Sequence, residues 1–167
     1  IIEQVIVPDA TPLTLTLVET PVICNGTGSG SATANPVGGS GIYSYQWSNG
    51  QITQTANNLI AGSYDVTVTD SKSCELINNI TVTEPPVMTL GFTMDPVACF
   101  GESSGSVIAV PGNAVEPIVY IWSNGNGTVN NDNIAVGNYC LTITDANDCI
   151  ISNCVDVTEP TELTLVG

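Results

Sequence analysis

The stretch Leu59-Ile60-Ala61-Gly62-Ser63-Tyr64-Asp65-Val66-Thr67-Val68-Thr69-Asp70 decides the fold. From Tyr64 onward apolar and polar residues alternate with period two, the pattern of a strand with one buried face. The residues ahead of it have the form of a tyrosine corner. In that motif the tyrosine hydroxyl bonds back to the chain just upstream and fixes a crossover between two sheets. The form returns at Ile134 to Tyr139, 75 residues later, and runs on through Cys140-Leu141-Thr142-Ile143-Thr144-Asp145. A corner and strand that occur twice imply two sandwiches.

The offset of 75 holds along the chain without a gap. Cys24 falls on Cys99, Trp47-Ser48-Asn49-Gly50 on Trp122-Ser123-Asn124-Gly125, Cys74 on Cys149, and Thr83-Glu84-Pro85 on Thr158-Glu159-Pro160. Two copies of one unit are therefore present. Ile1 to Val7 falls on Leu76 to Val82, and Leu163-Thr164-Leu165 on Met88-Thr89-Leu90. The expected organisation is residues 1–10 as the last strand of a preceding repeat or a linker, 11–85 and 86–160 as two β-sandwich repeats, and 161–167 as the first strand of a following repeat. On this reading the chain is cut from a longer array. Prolines in Thr83-Glu84-Pro85-Pro86 would limit bending at the junction.

Within a unit the expected strands are Leu13 to Leu17, Ser31 to Asn35, Ile42 to Trp47, Tyr64 to Thr69 and Ile77 to Val82. Gly38-Gly39, Asn49-Gly50 and Asn57-Asn58 read as punctuation between them. Nothing shows helical periodicity. The fold class is all-β, with tandem Ig-like β-sandwich repeats in a linear array. Trp47, Tyr64, Trp122 and Tyr139 are the expected structural core, because a sandwich buries a large ring on its third strand.

Sixteen acidic residues stand against a single basic one, Lys72, with no Arg or His, for a net charge of −15. Nothing here would neutralise phosphates, so nucleic acid is excluded as a partner. No apolar run approaches transmembrane length, so membrane insertion is not expected. General acid–base and nucleophilic catalysis both want for a base, and no glycine loop precedes a helix. No catalytic residues are expected, and no enzyme. Calcium is the one cofactor to weigh: Asp145, Asn147 and Asp148 crowd one turn, and hard oxygen ligands suit it. The matching turn is Asp70-Ser71-Lys72-Ser73, with a lysine where a ligand should be. Turn formation is the better reading, and no cofactor is expected.

There are six cysteines and no Cys-x-x-Cys pattern. Without His no mixed zinc site is possible, so disulfides and an oxidising, extracytoplasmic location follow. Cys140 and Cys154 lie equally far from Asn147, at the centre of the hairpin expected over 139–157, so a cross-strand bridge between them follows from register. Cys24–Cys74 and Cys99–Cys149 share one spacing, and pairing inside each unit is the preferred reading. Against it, an Ig-like order puts the two members at opposite ends of a sandwich, roughly 20 Å apart. The alternative is an inter-repeat Cys24–Cys149 bridge that staples neighbours.

Taken in order, Cys24-x-Gly26, Gly39-Ser40, Tyr45-x-Trp47-Ser48-x-Gly50, Ala61-Gly62-x-Tyr64-x-Val66-Thr67-Val68-Thr69-Asp70, Cys74 and Thr83-Glu84-Pro85 resemble the SprB repeat. That repeat is found in very large surface proteins of gliding Bacteroidetes. The second unit departs at Val136, in place of the alanine before the turn glycine, and at Cys140 inside the strand. The resemblance implies export, display at the cell surface, and a role in adhesion or gliding motility without catalysis. The expected function is a structural repeat in the stalk or fibre of an extracellular filamentous adhesin, its partners the neighbouring repeats of the array. Contact with a surface or polysaccharide is then expected from other parts of the parent. Two rivals are a carbohydrate- or surface-binding module, using loops such as Gly38 to Gly41, and a self-assembling fibre subunit. In the second, Ile1 to Val7 would complete a neighbour's sheet in a homopolymeric filament.

Overall fold

The computed structural model describes residues 11–165. The chain divides at Pro85/Pro86 into two compact units. The first contains β1 (Thr14–Thr20), β2 (Gly30–Val37), β3 (Ser44–Trp47), β4 (Thr55–Leu59), β5 (Gly62–Thr69) and β6 (Glu75–Val82). Their order is β1-β2-β4 in one antiparallel sheet and β3-β5-β6 in the other. The second contains β7 (Thr89–Asp95), β8 (Gly105–Gly112), β9 (Val119–Trp122), β10 (Asn130–Ile134), β11 (Gly137–Thr144) and β12 (Ile150–Val157), in sheets β7-β8-β10 and β9-β11-β12. Each unit is an Ig-like β-sandwich, since the third strand crosses to the sheet of the last two and the fourth returns to that of the first two.

Alternation explains which face is buried. Val66 and Val68 are fully buried on β5, while Asp65 points to solvent. Val82, Leu59, Val22 and the indole of Trp47 close the same core. Three small residues, Ala32, Ala34 and Ala56, are also fully buried there and leave room for the ring. In the second unit Leu141 and Ile143 take the β5 positions, and Phe92 packs against Trp122 with ring centroids 5.6 Å apart.

One element was not foreseen. Asn57-Asn58 lies inside β4, where punctuation was expected. The reason is a β-bulge. Gly30 pairs with Leu59 and Ser31 with Asn57, which leaves Asn58 over, at a positive φ of 55°. The extra residue breaks period two, so Ala56 and Leu59 both face the core from positions three apart. Asn133 does the same in β10, with φ of 57°. Ile42, expected to open the third strand, instead lies at φ of 48° and is 86% exposed. The turn through Gly38 to Gly41 runs on through it, and the strand begins at Ser44.

The strand expected at Leu163-Thr164-Leu165 is not formed, and both leucines are exposed. Its counterpart at Thr89 and Leu90 pairs with Gly112 and Pro111, and among the described residues no ladder waits for the later segment. The expected strand Ile1 to Val7 lies outside the described residues.

Candidate functional site

The features that recur in both units gather at the two ends of each sandwich. At the C-terminal end of unit 1 the chain leaves β1 and turns through residues 22–29. The turn is held by Val22 N–H to the Thr83 carbonyl at 2.8 Å, Ile23 N–H to Ser29 Oγ at 2.8 Å, and Thr27 Oγ1 to the Cys24 carbonyl at 2.8 Å. Gly26 lies at φ of 74°, a conformation that favours glycine. Its N–H donates to Glu84 Oε2 at 2.7 Å, and Asn25 Nδ2 donates to the Pro85 carbonyl at 3.0 Å. Unit 2 repeats the device: Gly101, at φ of 77°, donates to Glu159 Oε2 at 2.8 Å, and Val97 to the Thr158 carbonyl at 2.9 Å. Cys-x-Gly and Thr-Glu-Pro are thus one structure. Sequence reasoning found both motifs and missed their union. The available signal was that they recur together.

At the N-terminal end of each unit a buried aspartate gathers the loops. Asp70 Oδ1 accepts N–H groups of Lys72 at 2.8 Å and Cys74 at 2.9 Å, and its Oδ2 accepts that of Ser40 at 2.9 Å. The Cys74 and Ser40 donors, helped by Lys72, hold this carboxyl below its ordinary range. In unit 2 Asp145 accepts N–H groups of Asn147 at 2.8 Å, Cys149 at 3.0 Å and Val115 at 3.2 Å. Burial pushes Asp145 up, but the Cys149, Val115 and Asn147 donors together outweigh it and the net direction is down. The arriving chain is tied to this end in both units. Gly39 N–H donates to the Thr11 carbonyl at 2.9 Å, and Asn113 Nδ2 to the Val87 carbonyl at 2.9 Å.

These bonds account for Asp145, Asn147 and Asp148. Both Asp145 oxygens are taken by backbone donors, and Asp148 occupies the left-handed position of the turn at φ of 61°. Among the described residues no group of three or more His, Cys, Asp or Glu side chains is placed to hold a metal ion. The turn is closed by hydrogen bonds from its own backbone.

Trp47 and Trp122 are each 1% exposed, and each Nε1 donates to a carbonyl at 2.9 Å, of Thr53 and Thr128 respectively. Tyr64 Oη donates to the Ile60 carbonyl and Tyr139 Oη to that of Ala135, both at 3.1 Å. All four residues serve the core and the corner.

The cysteines divide into three groups. Cys140 and Cys154 face each other across β11 and β12 and are bridged, with S–S 2.06 Å. Cys74 and Cys99 are exposed free thiols. The pairs Cys24–Cys74 and Cys99–Cys149 are therefore not formed. Distance explains it. Cys24 sits beside Glu84 and Pro85, Cys74 beside Asp70 at the other end, and an eight-residue strand between ends spans roughly 25 Å. The Cys24 segment turns at its own end and does not run back along the sheet. Cys24 and Cys149 are each disulfide-bonded.

Among solved structures, the chain is similar to a Dscam structure at 12% identity and TM-score 0.33, covering 91% of this chain and 47% of that one. It is similar to the amphioxus IgVJ-C2 molecule at 14% identity and TM-score 0.31, covering 90% and 98%. It is also similar to domains 4–9 of the surface layer protein SbsC at 17% identity and TM-score 0.29, covering 95% and 32%. The chain thus spans about half the length of the Dscam structure and about a third of the SbsC one. A search of curated proteins finds no match. Residues 16–52, from β1 to just past β3 of the first unit, match the family model of the SprB repeat.

Proposed function

We propose that the two units are non-catalytic, load-transmitting repeats of an extracellular surface protein, placed in the stalk of a filamentous adhesin used in attachment or gliding. One observation carries this reading. In each unit the chain arrives at the end gathered by Asp70 or Asp145 and leaves at the opposite end, beside Glu84 or Glu159. A pull through the chain therefore runs the length of the sandwich. It shears β1 along its seven-pair register with β2, from Thr14↔Val37 to Thr20↔Ser31, and loads those bonds together rather than one at a time. β7 and β8 repeat the arrangement.

The proposal extends to the junction. Cys24 lies on the end of unit 1 that holds Pro85, and Cys149 on the end of unit 2 that holds Val87. We assign these two as partners, a staple across Pro85-Pro86 that lets a disulfide share load with the linker. The partners of the chain are then neighbouring repeats, and contact with a surface or polysaccharide belongs to other parts of the parent protein. Both tryptophans are buried, so neither offers a stacking face to a sugar.

Immunogold electron microscopy of the source cells, with antibody raised to this chain, tests the assignment. Label spaced along thin surface filaments supports a stalk. Label confined to filament tips, or inside the cell, overturns it.

A further inference from the structure

The two free thiols are not equivalent leftovers. Cys74 is the unit 1 counterpart of Cys149, and Cys99 is the unit 2 counterpart of Cys24. Their counterparts are disulfide-bonded, while they are free and exposed. Each occupies the same local frame as its bonded twin. Cys74 N–H donates to Asp70 as Cys149 N–H does to Asp145, and Gly101 beside Cys99 bonds Glu159 as Gly26 bonds Glu84.

Cys74 lies on the N-terminal end of unit 1, where Asp70 and the Gly38–Ser40 loop hold Thr11. Cys99 lies on the C-terminal end of unit 2, beside the Thr158-Glu159 cap. Each end also exposes a large apolar side chain. Ile42 is 86% exposed where unit 2 has Pro117, and Phe100 is 51% exposed where unit 1 has Asn25.

We infer that Cys74 and Cys99 are the two halves of further staples, each built to bond a flanking unit of the same repeat type. Cys99 takes a partner at the position of Cys74 in the following unit, and Cys74 takes one at the position of Cys24 in the preceding unit. The chemistry is thiol–disulfide exchange. Two thiols lose two protons and two electrons to a disulfide oxidant of the extracytoplasmic space, which leaves as its dithiol, and one S–S bond forms between units. Tethering sets a high effective concentration for the pair, so the bridge needs no tight docking surface.

The inference rests on the serial arrangement proposed above. It is tested with a fusion in which residues 1–160 are followed directly by residues 11–167, which preserves the spacing of 75 across all four units. The fusion is equilibrated in oxidised and reduced glutathione, alkylated, cleaved with an acidic-residue-specific protease and mapped by mass spectrometry. The unfused chain under the same treatment gives the baseline, alkylation at Cys74 and Cys99. The expected map of the fusion has two alkylated thiols, Cys74 of the first copy and Cys99 of the second, with Cys99 of the first bonded to Cys74 of the second. Four alkylated thiols, or those cysteines bonded elsewhere, overturn the inference. The Cys140–Cys154 bridge in the same map reports that the units are folded, so failure here is separate from failure of the stalk reading, which the microscopy decides.

Discussion

Glu84 reaches across 58 residues to accept the Gly26 N–H at 2.7 Å, and Glu159 does the same for Gly101 at 2.8 Å. This bond ties the last strand of each unit to the loop that presents a cysteine. Replacing Glu84 by Ala removes the acceptor from a solvent-facing site, at a cost of about 1 kcal/mol. Hydrogen exchange at the Gly26 amide should then quicken roughly five-fold. Glu84→Gln should fall between parent and Ala. An unchanged Gly26 rate would mean that the glutamate does not hold the loop.

The two end-gathering aspartates predict an acid dependence. Both lie below the ordinary value of 3.8 in the folded chain. A depressed folded value gives stability that is complete above the unfolded pKa and is lost as the pH falls through the folded one. Asp70→Asn and Asp145→Asn should melt below the parent at neutral pH, and the gap should close as the pH falls below 3.8. Thermal melts across that range check it. A gap that is constant with pH would remove the charge from the argument.

Asn131 stands where unit 1 has Ala56. It is 1% exposed, and its Nδ2 has no hydrogen-bond partner. Its Oδ1 accepts from Asn124 Nδ2 at 2.9 Å, and that donor lies near solvent. Asn131→Ala should therefore stabilise the chain by on the order of 1 kcal/mol, the desolvation of an unpaired amide removed. Chemical denaturation measures it, and a comparable loss would show that the amide network is needed.

The Cys140–Cys154 bridge closes a short loop, of sequence separation 14. Replacing both cysteines by Ser should lower the stability of unit 2 by about 3 kcal/mol on the chain-entropy account. The fall should be confined to the transition that unit 2 contributes, since unit 1 has Asp65 and Asn79 at these positions, joined by a 2.7 Å hydrogen bond.

Much of this was legible in the chain. Strict alternation in Tyr64 to Thr69 identified β5, and the corner ahead of it fixed the Ig-like class. Register alone placed Cys140 opposite Cys154, because a hairpin's facing residues are equidistant from its turn. β4 was illegible because a bulge at Asn58 destroys period two and asparagines read as turn residues. The Glu84–Gly26 bond was illegible because it joins two exposed polar positions far apart, where no hydrophobic pattern constrains either. The pairing of the other four cysteines turned on which end of a sandwich each occupies. The intra-unit pairs needed the Cys24 segment to run back along the sheet, and instead it turns in place around Gly26.

Single-molecule stretching of the chain, held at its two termini, tests the stapled load path most directly. With Cys24 bonded to Cys149, residues 25–148 lie inside a closed loop, and full extension should release only the outer segments. In a Cys24→Ser/Cys149→Ser variant the two units should release separately, the 75 residues of unit 1 by on the order of 200 Å at about 3.5 Å per residue after the folded length is subtracted, and unit 2 by roughly 45 Å less because the Cys140–Cys154 bridge keeps its loop closed. The account predicts a short release in the parent and two long, separate releases in the variant. Identical long releases in both would contradict it.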